Sequence, residues 1–303
     1  MKNVLVVGSS NTDMIIRVPH IPRPGETILG GAFSMAAGGK GANQAVAAAR
    51  AGGRVTFVAR VGDDLFGRQA LEGFARDGID ARSVLATPGS ASGIALITVD
   101  ERGENSISVA SGANALLSVA DVEAAGDAFA AAGIVLLQLE SPLETVEAAA
   151  RAAKRRGIPV ILNPAPARSL DDGLLRLVSV LTPNENEAEF LTGIAVKDEG
   201  SAMKAAARLR ARGAAAVIVS LGERGVFASA APYEAHMPAF AVEPVDTTGA
   251  GDVFNGALAV ALAEKRPLGD AVRFAQAAAA ISVTRPGAQP SAPTRVEIEA
   301  FIR

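Results

Sequence analysis

Short apolar runs that stop at glycine or at a polar cluster alternate along this chain with longer stretches in which apolar residues return every three or four positions. The runs at 4–7, 55–61, 134–138, 158–162, 178–181 and 216–220 read as buried strands, because they are mostly Val, Ile and Leu and do not alternate with polar residues. Helical spacing covers 64–77, 120–132 and 268–284, and further helices are expected from Asn43 to about Gly52, from NENEAEF after Pro183, and up to Arg212 and Gly213. Ser141, Pro142 and Glu144 have the spacing of a capping box with proline at the first helical position, and Gly157 ends that helix. The alternation predicts an α/β fold: a mostly parallel central sheet flanked by helices on both faces.

Two stretches break this rhythm. A strand at 14–18 leads into VPHIPRPG, too rich in proline for a helix, and 27–35 is again extended. Later, 93–99 and 105–110 are β-type runs joined by DERGE, a hairpin by composition. The two excursions can pair into a small second sheet, a β lid inserted at about 13–36 and 92–111. No linker or shift in composition divides the chain, so 1–303 reads as one domain.

Two glycine clusters carry the chemistry. In AAGGKGANQ, glycines 38, 39 and 41 surround Lys40, but Gly41 stands where a Walker A loop needs Ser or Thr. No G-x-G-x-x-G follows the first strand, which removes the main support for a dinucleotide-binding oxidoreductase. The second cluster is DTTGAGDVFNG, from Asp246 to Gly256. Gly249, Ala250 and Gly251 leave their N–H groups open to an anion, and a helix starting near Gly251 adds the positive end of its dipole. Asp252 in that first turn would repel a bound phosphate if holding anions were the whole task. As a lone residue it would complement the dipole; beside a phosphoryl site it can take a proton from a substrate hydroxyl.

Composition narrows the classes. Forty-nine per cent of the 303 residues are apolar, enough for a large core. A formal charge of −3 with few aromatics offers nucleic acid no basic face. The absence of cysteine removes disulfides and thiolate chemistry, and His20 and His236 lack metal or triad spacing. Met1, Lys2 and Asn3 lead straight into a strand without the apolar core of a signal peptide, so a cytoplasmic protein is expected.

The string DTTGAGD followed by FNG resembles the signature of the ribokinase family of sugar kinases, also called the PfkB carbohydrate kinases, and GGKGAN resembles the family's second signature. AAAAISVTRPGAQPS extends the resemblance to the C-terminal region. The resemblance implies an ATP-dependent kinase acting on the 5-hydroxyl of D-ribose to give D-ribose 5-phosphate. It implies Asp252 as the base, with Gly249, Ala250 and Gly251 as an anion hole, and a sugar site of Asn11, Asp13, Gly39, Lys40, Asn43, Glu140 and Asp252. ATP would lie on Asn184, Ser220, Gly222, Gly225, Gly251 and Gln276, with Mg²⁺ near Glu187 held indirectly. A potassium ion would take the Asp246 side chain and the carbonyls of Thr248, Ser282, Arg285, Gly287 and Ser291. A homodimer through the lid is also implied. Short polar residues such as Asn11 and Asp13 are ordinary turn formers, but here they follow a strand whose carboxyl end is where ligands bind in open sheets. A site rich in hydrogen-bonding groups favours ribose over 2-deoxyribose. The alternatives are a nucleoside or 2-deoxyribose kinase and, from another class, a sugar-binding sensor without turnover.

Overall fold

A computed structural model describes residues 3–29 and 31–303; the first two residues of the expected leaderless start, and Gly30 within the expected extended piece, lie outside the described residues. The chain runs through β1 (Asn3–Val7), β2 (Asn11–Arg17), β3 (Ala32–Gly38), α1 (Lys40–Arg50), β4 (Val55–Gly62), α2 (Leu65–Arg76) and β5 (Asp80–Thr87). Next come the hairpin strands β6 (Gly93–Val99) and β7 (Asn105–Ala110), then α3 (Val119–Ala124), α4 (Gly126–Ala131), β8 (Ala132–Leu137), α5 (Leu143–Arg155) and β9 (Val160–Leu162). After α6 (Asp172–Leu175), β10 (Val180–Leu181), α7 (Glu185–Thr192) and α8 (Glu199–Ala211), strands β11 (Ala216–Ser220), β12 (Val226–Ala230) and β13 (Tyr233–Met237) follow. Helices α9 (Ala250–Ala263), α10 (Leu268–Ser282) and α11 (Arg295–Ile302) close the chain.

The main sheet has the order β13-β12-β11-β10-β9-β8-β1-β4-β5 and is parallel from β5 through β11, with β12 and β13 antiparallel at one edge. Alternate residues of each strand enter opposite layers. Val4 and Val6 join Phe57, Ile134 and Leu136 under α1, α9 and α10, while Leu5 and Val7 join Val135 and Leu137 under α5 and α8. Helices α1 and α9 pack closely because Gly256 has no side chain: a Cβ there would stand 2.6 Å from the Gln44 carbonyl oxygen. From β1 the chain goes outward to β4 and β5, then returns to β8 on the other side of β1, so the topological switch point lies between β1 and β8.

The second sheet, ordered β3-β2-β6-β7, is the expected lid. Each hairpin is antiparallel, but β2 and β6 run parallel, so the lid is mixed. Several expectations change. Asn11 and Asp13 are the opening of strand β2, not a turn, because Asn11 to Arg17 pair in register with both Gly38 to Ala32 and Gly93 to Val99. The third strand begins later and runs on to Gly38, and α1 begins at Lys40, three residues before Asn43, with Gly39 as its N-cap. The helix expected at 120–132 is two helices that meet at Ala125, and its end is already strand β8. The capping box at Ser141 does not form: Pro142 occupies the N-cap, which has no side-chain hydrogen bond, and Ser141 Oγ has no partner among the described residues. Strands β5, β12 and β13 and helix α11 were not foreseen. Among the described residues no helix is long and apolar enough to cross a membrane.

Candidate active site

Carboxyl ends of β9, β10 and β11 open onto one cleft through Asn163, Thr182 and Ser220, the first turn of α9 lines it, and Ser9 after β1 and Glu140 after β8 meet beside it at Lys40. Gly249, at φ 74° and with Ala288 Cβ only 2.7 Å from where its own Cβ would be, turns the chain into α9. In the first turn the Ala250 N–H reaches the Thr247 carbonyl at 3.2 Å, whereas among the described residues the N–H groups of Gly251 and Asp252 meet no protein acceptor. These are the orphan donors of a helix start, and they face the cleft. Asn255 anchors this turn: it donates to the Gly251 carbonyl at 2.8 Å and accepts from Thr182 Oγ1 at 2.7 Å.

Asp252 is buried. Asn43 Nδ2 donates to its Oδ2 at 3.0 Å and Gln44 Nε2 to its Oδ1 at 2.9 Å. Burial pushes its carboxyl up; Lys40 and the two amides pull it down, and burial wins, so the pKa stands above the ordinary carboxylate value. Around Lys40 the carboxylates of Asp252, Glu140, Glu187 and Asp13 gather. Burial lowers the Lys40 ammonium, but these four together raise its pKa above the usual lysine value. Asp13 is raised to about 6 by burial and by its neighbours Glu140 and Asp252, with Lys40 opposing. Glu140 is held from two elements: Ser9 Oγ donates to its Oε2 at 2.5 Å and the Lys40 N–H to the same atom at 2.9 Å. Asn11 is oriented by Asn114, whose Nδ2 donates to Asn11 Oδ1 at 2.7 Å, leaving the Asn11 amide nitrogen as the free end.

Beyond Asp252 lies a cavity of about 830 Å³. Asn184, Ser220, Gly222, Gly225, Gly251 and Gln276 all line it, together with Gly249, Ala250, Lys40 and Asp252. Gln276 faces it while donating to the carbonyls of Met237 and Pro238 at 3.0 and 3.2 Å. Asn184 caps α7 through a reciprocal box with Glu187: Asn184 Oδ1 accepts from the Glu187 N–H at 2.8 Å and Glu187 Oε2 from the Asn184 N–H at 2.9 Å. Glu187 Oε1 accepts from Asn184 Nδ2 at 3.0 Å, so neither carboxylate oxygen is idle. Burial raises the Glu187 pKa more than the Asn184 amide and Lys40 lower it.

Asp246 ties the segment before α9 to the loop after α10. Its Oδ1 accepts from the Thr248 N–H at 2.9 Å and its Oδ2 from the Gly287 N–H at 2.8 Å. Burial raises this carboxyl, but hydrogen bonds from Thr248 and Gly287 outweigh it, so the group is held below its usual pKa and stays an anion. Ser282, the last residue of α10, and Ser291 in the loop that follows are both buried, while the Arg285 side chain turns away to Glu297. Among the described residues no three His or carboxylate side chains cluster as a metal site, so a cation here would rely on main-chain oxygens and Asp246.

Sequence reasoning missed the amides beneath the site, namely Gln44, Gln138, Asn163 and Asn114, and the clamp residue Asn255. Of these, Asn255 sat inside the FNG that follows Asp252 and Gln44 ended the AAGGKGANQ string.

The sequence profile of the pfkB family carbohydrate kinases matches residues 1–295. A ribokinase of Haemophilus influenzae is 47% identical over 301 residues, spanning 99% of this chain and 98% of that protein. A deoxyribokinase of Salmonella typhi is 38% identical over 301 residues, spanning 99% of this chain and 98% of its own. Among solved structures, that of Arabidopsis thaliana ribokinase complexed with ribose and ATP superposes with a TM-score of 0.92 at 34% identity, covering 100% of this chain and 99% of the other.

Proposed function

The chain belongs to the pfkB family of carbohydrate kinases, and from that premise we propose that it transfers the γ-phosphoryl group of ATP to the 5-hydroxyl of D-ribose, giving D-ribose 5-phosphate. One observation carries the reading: Asp252 stands where a polar, charged cluster meets a cavity of nucleotide size, with two unpaired main-chain donors beside it. The ribokinase relatives support ribose as the sugar.

Asn11, Asp13, Gly39, Lys40, Asn43 and Glu140 would bind the sugar hydroxyls and aim one of them at Asp252. Asp252 takes the proton as the oxygen attacks phosphorus, and its raised proton affinity suits that role near neutral pH. The Gly251 N–H and, once it leaves the Thr247 carbonyl, the Ala250 N–H hold the transferring group, and Gly249 fixes their direction. Asn184, Ser220, Gly222, Gly225 and Gln276 would seat the nucleotide. Glu187, with both oxygens engaged by Asn184, suits contact with Mg²⁺ through water; when bound, the metal neutralises phosphate charge. The Asp246 carboxylate, with carbonyls of Thr248, Ser282, Arg285, Gly287 and Ser291, would hold K⁺ beside the anion hole.

The lid supports two further readings. Phe33, Met35, Leu96, Ile107 and Val109 are each more than half exposed, and register places Met35, Met14 and Leu96 on one face, a surface suited to a second lid in a homodimer. Both sheets would work as one kinase domain, in the cytoplasm where ATP is supplied.

ADP release measured with and without D-ribose tests the reading; no ribose-dependent release overturns it. A 2-deoxyribose kinase is the second reading, favoured by the deoxyribokinase relative, and side-by-side kcat/KM values for ribose, 2-deoxyribose and adenosine decide among them.

A further inference from the structure

Gln44 lies one turn along α1 from Lys40, completely buried, and does not line the cavity. Its Nε2 donates to Asp252 Oδ1 at 2.9 Å and to Asn163 Oδ1 at 3.1 Å, and its Oε1 accepts from Gln138 Nε2 at 2.6 Å. The direction of this chain is set from outside. Asn163 Nδ2 donates to the Thr182 carbonyl at 3.2 Å, so its oxygen faces Gln44. An ionised carboxylate only accepts, so the Gln44 nitrogen must face Asp252. Gln138 is left to supply the hydrogen for the remaining Gln44 oxygen, and its own Oε1 finds no partner among the described residues. Gly8 makes room for it: a Cβ there would stand 2.0 Å from Gln138 Oε1. For packing alone, apolar side chains of similar volume would serve this layer better than buried amides with an unpaired oxygen.

We propose that Gln44 is the positioning residue of Asp252, and that Gln138, acting through Gln44, fixes which end of the amide the carboxylate meets. This rests on the assignment of Asp252 as the base. Charged groups facing Asp252 are Lys40 from α1, Glu140 after β8, Asp13 from β2 and Glu187 from α7. Lys40 is the one cation of this set, and four carboxylates share it. Neutral donors must therefore complete the stabilisation of the proton-accepting form, and Gln44 is the one that no substrate can displace.

The test is the pH profile of kcat for Gln44→Met, which keeps the volume and removes both donors. Turnover at pH 7 falls about two- to fivefold, the acid limb moves up by about one pH unit, and activity recovers as the pH rises. KM for ribose changes by less than about twofold, since Gln44 touches no group of the sugar cluster other than Asp252. Gln138→Met moves the same limb in the same direction by less; should Gln44→Met melt below the assay temperature, Gln138→Met carries the test. An unmoved limb, or a loss uniform across pH, overturns the proposal. Asp252→Asn measured alongside separates the two ideas: near-normal turnover removes the base assignment, whereas an inactive Asp252→Asn with unmoved limbs in the glutamine variants removes only the relay.

Discussion

On the side of Asp252 that faces β2 and the end of β8, charge is crowded: Glu140 lies close enough to raise the proton affinities of Asp13 and Lys40. On the side that faces α7 and β11, the walls are glycines and apolar residues such as Gly222, Gly225, Ala241, Val242 and Ala280, and the polar side chains Asn184 and Gln276 there are tied to the protein, Asn184 to Glu187 and Gln276 to Met237. A sugar differs from its analogues in where hydroxyls stand, which side chains on a rigid frame can read. A triphosphate mainly presents charge, which amides at a helix start can hold without a side chain. One side should therefore be sensitive to side-chain exchange and the other to anything that adds bulk to the backbone.

The largest effect belongs to the junction. Asp252→Asn should cut kcat by about a hundredfold or more, with ribose affinity by calorimetry largely kept. Next, Gly249→Val should lower kcat about thirtyfold, because the position needs positive φ and has Ala288 against it; turnover within twofold of the parent would show the turn to be less constrained. On the sugar side, Asp13→Asn should raise KM for ribose about tenfold with a smaller change in kcat. KM of the parent should climb as pH falls below about 6, where Asp13 protonates; a flat KM from pH 7 to 5 would remove Asp13 from hydroxyl binding. Replacing sodium by potassium should raise the rate a few-fold, on the order of threefold, and equal rates would count against a cation at Asp246.

The smallest effect concerns stability. Asp13 has a folded pKa of about 6, above its value of 3.8 when free, so the native state holds the proton more tightly. Its contribution is present below pH 3.8 and is lost as pH rises through 6. Above that the ionised group costs about 1 kcal/mol after solvent screening, so Asp13→Asn should melt about 2 °C higher at pH 7.5 and gain nothing at pH 4.

Sequence pattern reached the elements whose residues are buried on both faces or closed by a tight turn. The β6–β7 hairpin and strand β11 have the predicted bounds, because DERGE is a strong turn and AVIVS an unbroken apolar run. Strand β5, DARSVLAT, has only Val84 buried and lacks any periodic signal. Strand β12, VFASA, carries small residues that fit helix or strand alike. Ser141 misled because its spacing to Glu144 satisfies the capping pattern, while Pro142 takes the cap position itself. In the cleft, DTTGAGD and GGKGAN were legible as local strings. The roles of Gln44, directly after GGKGAN, and of Gln138 and Asn163 were not: the bonds that join them to one another and to Asp252 span 94 to 208 residues, a relation that no local spacing encodes.

Only Gly8, Ser9 and Ser10 separate the end of β1 from the start of β2, and all three are buried. Ser9 is fastened to Glu140, and the Ser10 N–H to Asn114 Oδ1 at 2.8 Å. Gly39 alone joins β3 to α1, so two short links tie this edge of the small sheet, with Asn11 and Asp13, to the main one. If Asn11 and Asp13 hold the sugar as proposed, entry to the cleft and the grip on the pentose would be a single mechanical coordinate.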